Sequence, residues 1–214
     1  MDEDIAIINT SSRIEKIKNF FINNKKKLII FVSAIILLSF GYFIYQDLEK
    51  KNKAELATRY NFVTINYAAS DKTKFKDELI EIVNKRDGTY SPLALYFLID
   101  NNVIAENNKI NELFDIVINE TSLEKEIKNL IIFKKALFNS DFETENNLLK
   151  ILNPIINSES IWKSHALYLL AEYFLSKNER HKSKEFFEKI LILENSNPNI
   201  KLEAQKRIQR DFSE

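Results

Sequence analysis

The sequence predicts an all-α protein in which a single N-terminal transmembrane helix leads into an array of antiparallel helix pairs. Three observations predict it. The chain of 214 residues holds only two glycines and three prolines, so it is poorly supplied with the residues that make hairpins and bulges. One long uncharged stretch stands near its start, inside KKKLIIFVSAIILLSFGYFIYQDLEKK. Beyond it, apolar residues recur at a spacing that fits one helix pair.

Composition narrows the function classes. With 45% hydrophobic and 29% charged side chains the chain can bury one sizeable core. The formal net charge is zero and Lys and Arg are interspersed with acids. Phosphate neutralisation needs clustered cations, so no nucleic acid is expected as a partner. The absence of cysteine removes disulfides, thiolate metal sites and a lipoprotein cysteine together.

The first element is residues 28–46, nineteen uncharged residues in a row. As a helix they span roughly 28 Å, close to the hydrocarbon thickness of a bilayer. Lys25, Lys26 and Lys27 abut the N-terminal end with Arg13, Lys16 and Lys18 behind them, whereas Lys50, Lys51 and Lys53 follow only after Asp47 and Glu49. The steeper basic side is expected to stay in the cytoplasm, and Tyr42, Phe43 and Tyr45 suit the opposite interface. This gives residues 1–27 as a cytoplasmic segment, 28–46 as the transmembrane helix and 47–214 as an external repeat domain. Two other readings stay open: a cleaved signal peptide, whose exit Ser39-Phe40-Gly41 loosely resembles, and a core helix of a soluble protein. Upstream, Ser12-Arg13-Ile14-Glu15 has capping-box spacing, with Ile14, Ile17, Phe20 and Phe21 at helical intervals. These fit a short helix on the membrane surface or a frayed tail.

After the span, helices are expected over 47–69, 72–86, 92–106, 108–119, 122–139, 142–153, 159–177, 179–194 and 199–210. Lys85-Arg86-Asp87-Gly88 reads as a helix end with glycine in the left-handed position, and Ser91-Pro92 as an N-cap with proline in the first turn. Thr121-Ser122-Leu123-Glu124 offers a capping box, while Asn153-Pro154 and Asn197-Pro198 mark further boundaries.

Leu79, Phe114, Leu149 and Phe187 anchor the second helix of successive pairs. Three residues after each come Ile82, Val117, Leu152 and Ile190. Seventeen before come Phe62, Phe97, Ile132 and Leu170, and sixteen before come Val63, Leu98, Phe133 and Ala171. A lone helix pair cannot bury its apolar stripe, whereas stacked pairs bury one another and need the same contact positions in each unit.

This spacing resembles the tetratricopeptide repeat, most visibly in Leu170-Ala171-x-x-Phe174 followed by Ser183, Phe187 and Ile190. Glu145 stands where that family prefers a small residue and its usual glycines are missing, so degenerate repeats are expected. One N-terminal span, its direct helical continuation and about four loose repeats resemble the bacterial inner-membrane family of ancillary Sec translocon subunits. The repeat domain of that family is also related to that of a cell-division coordinator. The resemblance implies a periplasmic repeat domain beside the translocon that binds translocon components, a membrane-anchored folding factor or exported clients. A structural assembly factor for envelope or cell-division complexes is the alternative.

No catalytic chemistry emerges. The two histidines, His165 and His181, lie in no metal-binding arrangement, and no phosphate-binding or nucleophile motif occurs. No enzyme, metal or cofactor is expected. Glu120, Glu124, Glu126, Glu185 and Glu188 sit among lysines on what reads as a solvated face. Trp162, Tyr168, Tyr173 and Phe174 read first as packing. If the repeats curve, the first helix of each pair lines the concave side, and the groove positions implied by the resemblance are Ile99, Lys134, Tyr168 and Glu172.

Overall fold

The computed structural model describes residues 18–20, 22–67 and 72–212. The expected capping box at Ser12 to Glu15, the flanking Arg13 and Lys16, and Ile14, Ile17 and Phe21 lie outside the described residues. No strand occurs among the described residues. Two compact units divide the chain, residues 1–55 and 56–214.

The first long element, α1 (Lys25–Asn66), is one helix of 42 residues, or roughly 63 Å at the usual rise. No proline or second glycine follows Gly41 within it, and the Asp47–Lys51 pair at 2.8 Å bridges one turn where the apolar run meets charge. Its apolar window is long enough to cross a membrane, and none of that window is buried. Leu37 and Leu38 are 71% and 74% exposed, which sets the segment apart from the core helix of a soluble domain.

The second unit begins with the last turns of α1, where Leu56 and Val63 are buried. It continues through α2 (Lys72–Asn84), α3 (Tyr90–Asp100), α4 (Asn107–Glu120), α5 (Lys125–Asn139), α6 (Glu145–Ile156), α7 (Lys163–Ser176), α8 (Arg180–Ile192) and α9 (Pro198–Asp211). From α2 onward consecutive helices pack, and so do α2 with α4, α5 with α7 and α7 with α9, the neighbour pattern of a stacked array. Most repeat positions are buried, including Leu79, Ile82, Leu98, Phe114, Val117, Ile132, Leu152, Leu170, Ala171, Phe187 and Ile190. At the anchor position of α6 it is Leu148 that is fully buried, and the expected anchor Leu149 packs half-buried beside it. Phe97 and Phe133 are also half-buried, and Phe62 is exposed.

Helix ends depart from expectation. At the end of α2 the left-handed residue is Arg86 (φ 57°), not Gly88. Gly88 sits at a close approach instead: a Cβ there would stand 3.0 Å from the Ser122 carbonyl oxygen. The cap of α3 is supplied by Asp87, whose Oδ1 accepts from the N–H groups of Thr89 and Tyr90 at 2.8 and 2.7 Å. Ser91, expected as that cap, lies buried inside the first turn and donates to the Ile82 carbonyl at 3.0 Å. The helix expected over 92–106 stops at Asp100 because Asn102 adopts φ 49°, letting the Val103 N–H reach the Leu98 carbonyl at 2.9 Å. Asn178 ends α7 in the same way, with φ 61° and a 2.9 Å bond from the Glu179 N–H to Phe174.

The capping box at Thr121 does not form. Thr121 is extended and its hydroxyl turns back to the Ile116 carbonyl, so α5 starts at Lys125 without a side-chain cap. Pro154 lies inside α6 rather than after it. Asn197 caps α9 through bonds to the Asn199 and Ile200 N–H groups, with Pro198 in the first position.

Candidate protein-binding face

The second unit carries a row of aromatic and charged groups along the first helices of successive pairs. On α3 and α5, the Lys134 ammonium stands 4.7 Å from the centre of the Tyr96 ring. Lys134 is exposed, and Ile99, one turn beyond Tyr96, packs half-buried against the core. Burial, assisted by the Asp100 charge, holds the Tyr96 phenol well above its usual range, so it stays neutral. Its hydroxyl has no hydrogen-bond partner among the described residues.

Between α5 and α7, Phe133 stacks on Trp162 at 6.1 Å, and His165 meets the two rings edge-on or tilted at 6.0 and 5.1 Å. The Trp162 indole N–H donates to the Glu126 carbonyl at 3.1 Å, which fixes the plane of the stack. Burial pushes the His165 pKa down, with a backbone bond at Ile161 opposing it, and its Nδ1 finds no partner among the described residues. The imidazole therefore sits in the cluster as a neutral ring.

On α7, Tyr168 is half-buried with its ring edge-on to Phe187 at 5.5 Å. Its pKa is raised, first by burial and then by the Glu172 charge. Glu172 does not stand free. Arg207 of α9 grips it with two parallel bonds, Nε to Oε1 at 2.6 Å and Nη2 to Oε2, and holds Asp211 with Nη1 at 2.8 Å. Hydrogen bonding to Glu172 accordingly keeps the Arg207 guanidinium more strongly protonated than usual.

Of the four groove positions, Lys134 is thus exposed, Ile99 and Tyr168 are half-buried, and Glu172 is engaged by α9. They form two local groups, Tyr96 with Ile99 and Lys134, and Tyr168 with Glu172 and Arg207. Tyr96, the Phe133–Trp162–His165 stack and Arg207 were not among the expected positions. Arg207 had a signal: it stands 35 residues after Glu172, one repeat period, and so falls in the same column on a further first helix. The stack had none, because it depends on which neighbouring helices touch.

Other depressions belong to this unit. A polar groove of about 790 Å³ lies between α4 and α6, where Asn111 and Asn139 exchange amide bonds at 2.9 and 2.8 Å and Lys135 reaches Asp115 at 2.7 Å. An apolar groove of about 320 Å³ lies between α1 and α2. No group of three or more His, Cys, Asp or Glu side chains placed to hold a metal ion occurs among the described residues.

In comparison with known families, residues 18–137, more than half of the chain, fit a family described as a tetratricopeptide repeat-like domain. No curated protein and no solved structure matches the chain.

Proposed function

The chain belongs to the tetratricopeptide repeat-like family, and from that premise we propose that it is a membrane-tethered protein-interaction scaffold, an ancillary subunit of the Sec translocon that recruits periplasmic folding factors or exported clients. Residues 1–27 are its cytoplasmic segment, with Lys25, Lys26 and Lys27 setting the orientation. Residues 28–46 cross the inner membrane once, and residues 47–214 form the periplasmic repeat domain. The observation that carries this reading is the extent of the family match, which begins at residue 18, runs through the apolar part of α1 and continues into α5. Apolar helix and repeats are therefore matched together, and that combination is what carries the resemblance to the translocon-associated family.

Tethering supplies the mechanism. A domain held at a membrane meets other membrane proteins at high effective concentration, so modest intrinsic affinity suffices. The first-helix face has the chemistry for such affinity: Lys134 over Tyr96 offers a cation beside an apolar ring, and Tyr168 offers a half-buried ring with a hydroxyl. Ile99 supports the first group and the Glu172–Arg207 pair fixes the second. Such a mixed lining favours broad complementarity over a single dominant contact.

The test is site-specific photocrosslinking from positions 134 and 168 in the membrane-anchored full-length chain. Adducts with a translocon component, a membrane-anchored folding factor or an exported polypeptide are expected from both positions and not from Glu188 on α8. Adducts equally abundant from Glu188, or none from 134 and 168, contradict the assignment.

A further inference from the structure

The open end of the array carries an apolar surface that the repeat logic leaves without a neighbour. Phe62 occupies the repeat position held later by Phe97, Ile132 and Leu170. Those are half-buried or buried, yet Phe62 is 60% exposed, and Ile65, one turn on, is 79% exposed. The cause is positional. Helices α3, α5 and α7 each pack against the second helix of the preceding pair as well as their own, whereas the end of α1 belongs to the first pair and has no second helix before it. An end left apolar is costly in water, which is why stacked-repeat proteins ordinarily close theirs with a polar cap.

The exposed ring borders a formed groove. Phe62 lies edge-on to the buried Phe75 at 6.2 Å, and with Val63 these rings line the apolar groove between α1 and α2. One wall is set by Arg59, whose Nε meets Glu78 at 2.5 Å and whose Nη2 meets Glu81 at 3.0 Å. Lys74 stands exposed on the rim with no ion pair among the described residues.

We infer that this groove is the docking site for an amphipathic helix of a partner protein, one that takes the place of the missing preceding second helix. The chain's own second helices define its chemistry. Their buried triplets are Leu79, Ile82 and Val83 in α2 and Phe114, Val117 and Ile118 in α4. The partner helix therefore presents apolar residues at i, i+3 and i+4, flanked by a carboxylate for Lys74. This site is separate from the first-helix face and does not depend on which machinery the array serves; crosslinking from 134 and 168 tests that separately.

The probe is a labelled, helix-stapled peptide with the α4 sequence NNKINELFDIVINE, titrated against the full-length chain in detergent micelles. Saturable binding is expected, weakened at least about tenfold by Phe62→Ser and by Ile65→Ser and unchanged by Ile192→Ser. Ile192 is 81% exposed on α8, far along the array, and controls for nonspecific apolar contact. Two variants at exposed positions guard against a folding defect in either one. Equal binding by wild type and both variants, or no saturable binding, overturns the proposal. So does a dimer of the full-length chain by light scattering that Phe62→Ser dissociates, because a second copy would then occupy the groove.

Discussion

His165 sits half-buried among aromatic rings with its Nδ1 unpartnered among the described residues, and burial lowers its pKa below the ordinary value of 6.5. The unfolded chain therefore binds a proton at a pH where the folded chain still refuses it. Stability is fully present above about pH 6.5 and falls as pH drops through that value toward the folded pKa, below which it levels off. His165→Gln is expected to flatten this component. Thermal melts at pH 5 and pH 7.5 check it: the drop in melting temperature should be smaller in the variant, and an equal drop refutes the assignment. The Glu172–Arg207 pair gives a second test at this scale. Both side chains are partly shielded, so Arg207→Met strands a carboxylate and should cost about 1–2 kcal/mol in urea unfolding. Adding Glu172→Gln should recover part of that loss.

Individual helices show where local sequence signals give way to tertiary contact. The left-handed caps at Asn102 and Asn178 relieve orphan carbonyls at modest cost, since Asn tolerates that conformation better than other residues with a side chain. Asn178→Ala is expected to cost about 1 kcal/mol and Asn178→Gly little or nothing, measured by chemical denaturation. Gly88→Ala should also destabilise, because its methyl group would crowd the Ser122 carbonyl on the loop before α5. Gly88 was legible as a special position, but for the wrong cause: nothing local says that Arg86 takes the left-handed turn while Gly88 makes a close approach. The same holds for Thr121, whose capping-box spacing is real but whose hydroxyl is drawn back to the preceding helix. Apolar columns were far more legible than caps. Burial of Leu79, Phe114 and Phe187 follows from side-chain chemistry repeated at one spacing, whereas a cap is decided by one backbone angle and one neighbour.

Considered whole, the chain pairs an apolar helix whose spanning-length window is uncovered by protein with a stacked array whose core is continuous from Leu56 to Phe174 and extended by a smaller cluster around Phe187 and Ala204. Of the candidate face, Lys134 and Tyr168 were legible by column and Arg207 by its one-period spacing from Glu172, but the exposure of Phe62 was not. It arises at the first end of the array, where periodicity stops describing neighbours. The natural absence of cysteine allows the placement of the array to be measured directly. A single cysteine at Ser158, in the α6–α7 connection, would be reacted with a membrane-impermeant maleimide in spheroplasts, followed by alkaline extraction of the membranes. Full labelling without permeabilisation, on a chain that stays in the extracted pellet, is the result predicted for an anchored external scaffold. Labelling only after permeabilisation, or release of a shortened chain that begins beyond Gly41, would contradict it.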